Sequence, residues 1–136
     1  MKTAIALYPT SEQIQNLLAG SADRPVVMLN LLRFKPQGDV PNEKLSGEAA
    51  YRLYAEKMGP FVESKGGRVL WSGHVDSQVI GEGGETFHMV ALVEYPSRQA
   101  FIEIVTDPFV SEIAIHRASG LEGQWLVATS SDDTAF

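Results

Sequence analysis

The 136 residues carry 17 acidic and 11 basic side chains, a net charge of −6 and a pI near 5.0, without any run of Lys or Arg. That balance argues against nucleic acid or an anionic membrane as a partner, and the absence of cysteine excludes disulfides, thiolate nucleophiles, iron–sulfur clusters and cysteine-based zinc sites. With 44% hydrophobic and 21% charged residues, a single cytoplasmic domain over residues 1–136 is expected, burying about two thirds of its unfolded surface.

The opening "MKTAIALYPTSEQ" starts in the manner of a signal peptide. Its apolar run is too short, however, and leads into a helix start, so it is read as mature protein. Thr10 with Gln13 makes a capping box for a leading helix within 8–20, with Ile14, Leu17 and Leu18 on one face and Gly20 as a stop. "SADRP" then turns the chain into "VVMLNLLRF", Val26 to Phe34, a strand with seven apolar residues in nine. No segment approaches the length of a membrane-spanning helix.

Asn30 and Arg33 interrupt that strand, and a buried polar group must find a partner or cost a few kcal/mol. Alternation sends the two to opposite faces. Arg33, near the strand end, can snorkel to an anchoring salt bridge or toward the following loop. Asn30 shares a face with Met28, Leu32 and Phe34, where it either bonds structurally or positions a substrate.

"KPQGDVPNEKLSG", Lys35 to Gly47, is a long loop of the kind that often carries function. Ser46 caps a second helix from about Glu48 to Lys65, with Leu53, Tyr54, Phe61 and Val62 at helical spacing, a kink or break at Pro60, and Gly66-Gly67 as its end. Tyr51 and Tyr54 are neighbours on it, either half-buried core residues or a source of one hydroxyl beside Asn30. "RVLWSGHVDSQVI", the turn "GEGGE" and "TFHMVALVEY" predict a β-hairpin. His74 and Asp76 share a face of its first strand. A three-residue turn, Gly81 to Gly83, would add His88 to them as a metal or acid–base cluster; a two- or four-residue turn would not. The glycine turn lacks the helix and Lys of a phosphate loop, and no Gly-x-Ser-x-Gly elbow is present.

A third helix, "SRQAFIEIV", follows Pro96-Ser97, and Asp107-Pro108 restarts it as "PFVSEIAIHRASG" after a break or kink. His116 shares the apolar stripe of Phe109 and Ile113. It either sits satisfied at the helix end, where the dipole favours a cation, or joins Arg117 in binding a carboxylate or phenolate. "QWLVATS" is the last strand and 131–136 a flexible tail. Trp71 and Trp125 either pack in the sheet or an interface, or stack on an aromatic ligand.

After the leading helix the order is βαββαβ, an α+β ferredoxin-like arrangement with a four-stranded antiparallel sheet and helices on one face. The first strand is apolar on both sides of its alternation, which implies a partner sheet and hence a homodimer.

The segments "VVMLNLLRF", "AAYRLYAEKMGPFVESKGGRVLWSGHV", "MVALVEYPSRQAFIEIVTDPF" and "HRASGL" together resemble the domain of unknown function 1330 family, within the dimeric α+β-barrel superfamily. The likeness runs from Pro25 to about Thr129. Its most specific parts are Gly66-Gly67-Arg68, Glu94-Tyr95-Pro96-Ser97 and the spacing to Asp107-Pro108. Related families look like cofactor-independent oxygenases, haem-degrading enzymes, dehalogenating isomerases and stress-responsive dimers. The resemblance implies two sheets closing a barrel, and in each subunit a pocket between sheet and helices; it supplies no reaction. The expected function is a cofactor-independent enzyme, without a metal, acting on a small apolar or aromatic metabolite that bears a carbonyl or phenol. Asn30, Tyr54 and His116 are its candidate catalytic residues, with Arg33, Tyr51, Trp71, His74 and Arg117 around the substrate. The alternatives are a non-catalytic ligand-binding or stress-related homodimer, and a haem-binding form using His116 or His74.

Overall fold

The computed structural model describes residues 4–132. Helix α1 (Ser11–Leu18) starts at the expected capping box: the Thr10 hydroxyl accepts from the Gln13 N–H at 3.1 Å, and the Gln13 side chain accepts from the Thr10 N–H at 2.9 Å. Strand β1 (Val26–Phe34) has the predicted bounds. Helix α2 (Gly47–Ser64) is capped by the Ser46 hydroxyl, which accepts from the Ala49 N–H. It ends in a Schellman turn, with Gly66 at φ +93°, its N–H on Glu63 O and the Gly67 N–H on Val62 O.

Two expectations are corrected. Of the kink or break expected at Pro60, the break does not occur: α2 runs through it from Gly47 to Ser64. Proline removes one backbone donor there, while Met58, Phe61 and Val62 on either side pack against the core and hold both halves in one helix. The hairpin is not closed by a tight glycine turn. Strand β2 (Arg68–His74) stops six residues before Ile80, and β3 (Met89–Tyr95) starts three residues after Thr86. Val75 N–H to His88 O is the last rung. Gly81 and Gly83 take positive φ and Gly84–Thr86 forms a single 3-10 turn, so the chain folds on itself instead of continuing the ladder.

Helices α3 (Arg98–Val105) and α4 (Pro108–Gly120) are separate, as predicted, with Ser97 and Asp107 as their caps. Strand β4 (Leu121–Thr129) begins three residues before "QWLVATS". Of the expected tail, Ser131 accepts from Arg24 Nη2 at 2.7 Å, and 133–136 lie outside the described residues.

The sheet order is β2-β3-β1-β4, all antiparallel, which is the expected α+β ferredoxin-like arrangement. Val26, Met28 and Tyr95 face the helices and pack with Met58, Val62, Phe101, Ile104 and Ile113; Leu32, Phe34 and Leu121 form a second cluster. The opposite face follows from the register: Leu29 lies between Leu92 and Val127, Leu31 between Val90 and Trp125, and Trp71 beside Leu92. That face is apolar and, among the described residues, has no helix on it. Among the described residues no helix is long and apolar enough to cross a membrane.

The start of α2 meets the end of α4 through two glycines. A methyl group on Gly120 would overlap Gly47 O and come within 2.7 Å of Tyr51 N, both backbone atoms. Gly120→Ala is expected to destabilise the fold by about 2 kcal/mol, roughly 8 °C in Tm; an unchanged melting curve would show that this junction is loose.

Candidate functional site

An open groove of about 570 Å³ lies at the C-terminal end of β1, bounded by Phe34, Lys35, Pro36, Ser46, Glu48, Ala49, Arg52 and His88. A β-bulge between Arg33 and Phe34, where β1 pairs with β4, ends the regular ladder there. The Phe34 ring stacks on that of His88, with centroids 5.8 Å apart and planes within 10°. The Phe34 N–H donates to His88 Nδ1 at 2.9 Å, and the His88 N–H donates to Leu32 O at 2.8 Å. A ring nitrogen that accepts carries no proton, so the imidazole proton lies on Nε2, which remains a donor.

The wall belongs to α2. Glu48 and Arg52 are one turn apart, and Arg52 Nη2 and Nε donate to Glu48 Oε2 at 2.8 and 3.2 Å. His74 Nε2 reaches the same oxygen at 3.2 Å. The Arg52 hydrogen bond is the main reason that the Glu48 carboxyl is held below the usual carboxylate range, with His74 adding to it. Lys35 Nζ donates to Asp39 Oδ2 and Ala118 O, and the Asp39 N–H donates to Ser119 Oγ. These bonds fix the loop before α2 onto the end of α4.

Behind the groove an aromatic line enters the core. Phe34 packs on Tyr51 and Tyr51 on Tyr54, each with centroids 5.4 Å apart. Burial pushes the phenols of Tyr51, Tyr54 and Tyr95 up; Tyr54 adds to the effect on the other two, and Arg117 opposes it at Tyr51 and Tyr54. At neutral pH all three are uncharged phenols.

The expected site residues lie in several places. Asn30 Nδ2 donates to Met28 O at 3.3 Å and Ala91 O at 3.4 Å, within the sheet. Arg33 pairs with Glu122 at 2.7 Å in an exposed ion pair. Trp71 is 55% exposed on the open sheet face. His74 joins Glu48 and Arg52. His116 Nε2 lies 3.0 Å from Glu43 Oε2, tying α4 to the loop before α2. Arg117 Nη2 donates to Leu7 O at 2.6 Å and stands over the Tyr8 ring. Tyr51 and Tyr54 are together, with Arg117 as their charged neighbour, whereas Asn30 and His116 hydrogen-bond to separate parts of the fold. The conditional His74–Asp76–His88 cluster does not form, because His88 bonds opposite Val75 and residues 76–87 leave the ladder. Among the described residues no group of three His, Asp or Glu could hold a metal ion.

Sequence reasoning missed Phe34, Glu48, Arg52 and His88 as one constellation. The i,i+4 spacing of Glu48 and Arg52 is a visible signal, but it is equally the spacing of an ordinary solvated ion pair.

A family model described as Domain of unknown function (DUF1330) matches residues 40–130. The chain is similar to the crystal structure of RPA0582, a protein of unknown function from Rhodopseudomonas palustris. They share 32% identity with a TM-score of 0.84, over 96% of this chain and 99% of that one. The methylated RPA0582 protein gives 31% and 0.86, over 98% and 100%. A protein from Bacteroides thetaiotaomicron, named with the antibiotic biosynthesis monooxygenases, shares the fold alone, at 14% identity and a TM-score of 0.53, over 85% of this chain and 97% of that one. No curated protein matches.

The buried phenols set an alkaline limit. Below the ordinary phenol value of 10.0 all three are neutral in folded and unfolded chains alike, and their burial stabilises in full. Above it the unfolded chain ionises first, so stability falls as pH rises. In a titration followed by phenolate absorbance, three of the four tyrosines are expected to ionise only as the fold melts. Ordinary titration of all four in a protein that keeps its circular dichroism would contradict this.

Proposed function

The chain belongs to the DUF1330 family of domains of unknown function, and from this we propose a homodimer whose β1 groove binds a small aromatic molecule bearing a carbonyl or phenol group. The observation that carries the reading is the parallel Phe34–His88 pair beside the Glu48–Arg52 pair. The stacked rings offer a flat apolar surface. His88 Nε2–H can donate to a carbonyl, and Glu48 Oε1, free of any hydrogen bond among the described residues, can accept from a phenol. A volume near 570 Å³ suits a small metabolite.

A second reading, proton-transfer catalysis without a cofactor, is favoured by the same two groups. An imidazole N–H and an ionised carboxylate border one groove, in reach of the same ligand. In this reading His88 and Glu48 take the acid–base roles, Arg52 positions Glu48, and Asn30, Tyr54 and His116 support the fold.

The homodimer rests on the open sheet face. Its apolar centre is bordered by the Arg33–Glu122 and Arg68–Glu94 ion pairs at opposite ends, the pattern of an interface core with a polar rim.

With para-hydroxybenzaldehyde as the probe, calorimetry is expected to show binding that His88→Ala and Arg52→Ala each weaken by about tenfold, and that Asn30→Ala leaves unchanged. Equal affinity in all four proteins would remove the groove from consideration. On the open face, Val127→Lys is expected to turn the dimer into a monomer in sedimentation experiments, and a wild-type monomer would refute the assembly.

A further inference from the structure

Beyond the Val75–His88 rung, residues 76–86 form a projection that supports itself. Among the described residues their hydrogen bonds stay within residues 76–87: Gln78 Nε2 donates to Ile80 O at 2.6 Å, the Gly83 N–H to Glu85 Oε2 at 2.9 Å, Thr86 Oγ1 to Gly83 O at 2.8 Å, and the Phe87 N–H to Gly84 O at 3.1 Å. The Gln78 side chain also fills the space where Gly84 would carry a Cβ. At the tip stand Val79 and Ile80, 86% and 88% exposed. Two adjacent β-branched side chains are stiff and present a preformed apolar surface, where a solvated loop tip ordinarily has small polar residues.

The root of the projection touches both surfaces described above. Phe87 is 2% exposed and packs against Trp125, on the open sheet face, at 5.0 Å between centroids. The next residue, His88, lines the groove.

We propose that residues 75–88 are an arm that seats on a second copy of this chain through Val79 and Ile80, and that its root ties the groove to that contact. The inference rests on the homodimer and groove reading above. Continuity favours a second copy as the occupant: through Phe87 against Trp125 the arm rises from the border of the sheet face read above as the dimer interface, so a copy seated on that face lies beside Val79 and Ile80. Asp76, Glu82 and Glu85 make each arm acidic, with no Lys or Arg in residues 75–88, so two arms laid against each other would repel and the contact rests on the apolar tip.

Because the chain has no cysteine, Ile80→Cys gives a single attachment point for a photoreactive label. In dimers mixed from isotopically heavy and light chains, the label is expected to cross-link one copy to the other; links only within a copy overturn the proposal. Val79→Ser combined with Ile80→Ser is expected to raise the dimer dissociation constant by roughly a hundredfold with unchanged circular dichroism, and to lower para-hydroxybenzaldehyde affinity as monomer accumulates. Val79→Ile with Ile80→Val keeps the tip apolar and is expected to restore both. An unchanged dissociation constant in the serine variant overturns the arm and leaves the groove standing. Absence of probe binding to a wild type that does cross-link between copies overturns the groove and leaves the arm standing.

Discussion

Strand β1 is hydrogen-bonded on both sides, to β3 and to β4, so it has no free edge and its side chains alone decide what lies above and below the sheet. Alternation divides them. Val26, Met28, Leu32 and Phe34 meet the helices, while Val27, Leu29 and Leu31 meet the open face. Asn30 falls on the helix side, and its amide donates to two backbone carbonyls of the sheet, which removes part of the cost of placing it there. At the strand end the β-bulge breaks the alternation. Arg33 stays with Glu122, and Phe34 turns its ring toward Tyr51 and its N–H toward His88. The groove exists because the ladder stops there.

What stands around that strand end is held by backbone contacts that admit no side chain. The Lys35 N–H bonds Gly120 O at 2.8 Å, and Gly47 and Gly120 approach too closely for a Cβ on either. This junction sets where α2 begins, and therefore where Glu48 and Arg52 project, one turn in from Ser46. Lys35, through Asp39 and Ala118 O, and His116, through Glu43, bind the intervening loop to α4. Loop residues that border the groove are thus fixed from the side away from it.

Much of this was legible in the sequence. The bounds of β1 followed from an apolar run between "SADRP" and "KPQG", the caps of the first two helices from Thr10 and Ser46, the starts of the other two from Pro96-Ser97 and Asp107-Pro108, and the apolar open face from apolar residues on both sides of the alternation. The pairing of the hairpin strands was legible, but the form of the connection between them was not. Glycine-rich "GEGGE" suits a tight turn and a self-folded loop equally, and the bond from Gln78 to Ile80 O that selects the loop has no pattern in sequence. Helix α2 passes through Pro60 because packing outweighs one lost donor, and packing is a property of the tertiary structure. The groove was hidden for a related reason. Glu48 and Arg52 had the spacing of an ordinary surface pair, and only the position of β1 beneath them makes that surface a wall.

The aromatic line from His88 through Phe34 and Tyr51 to Tyr54 fills the way from the groove to the interior with rings. The polar groups beyond it are poorly suited to proton transfer. The three phenols stay neutral because burial disfavours their charge, and Asn30 is engaged by carbonyls on its own strand and the next. At the rim the situation is reversed: Glu48 is kept ionised by Arg52, and His88 is oriented by a backbone N–H, its second nitrogen without a partner among the described residues. The polar chemistry this fold makes available lies at the edge of the sheet, on residues whose positions depend on loops and helix ends. Its geometry therefore depends on loop and helix-end contacts together with the core packing of Phe34, which seats His88 at the groove.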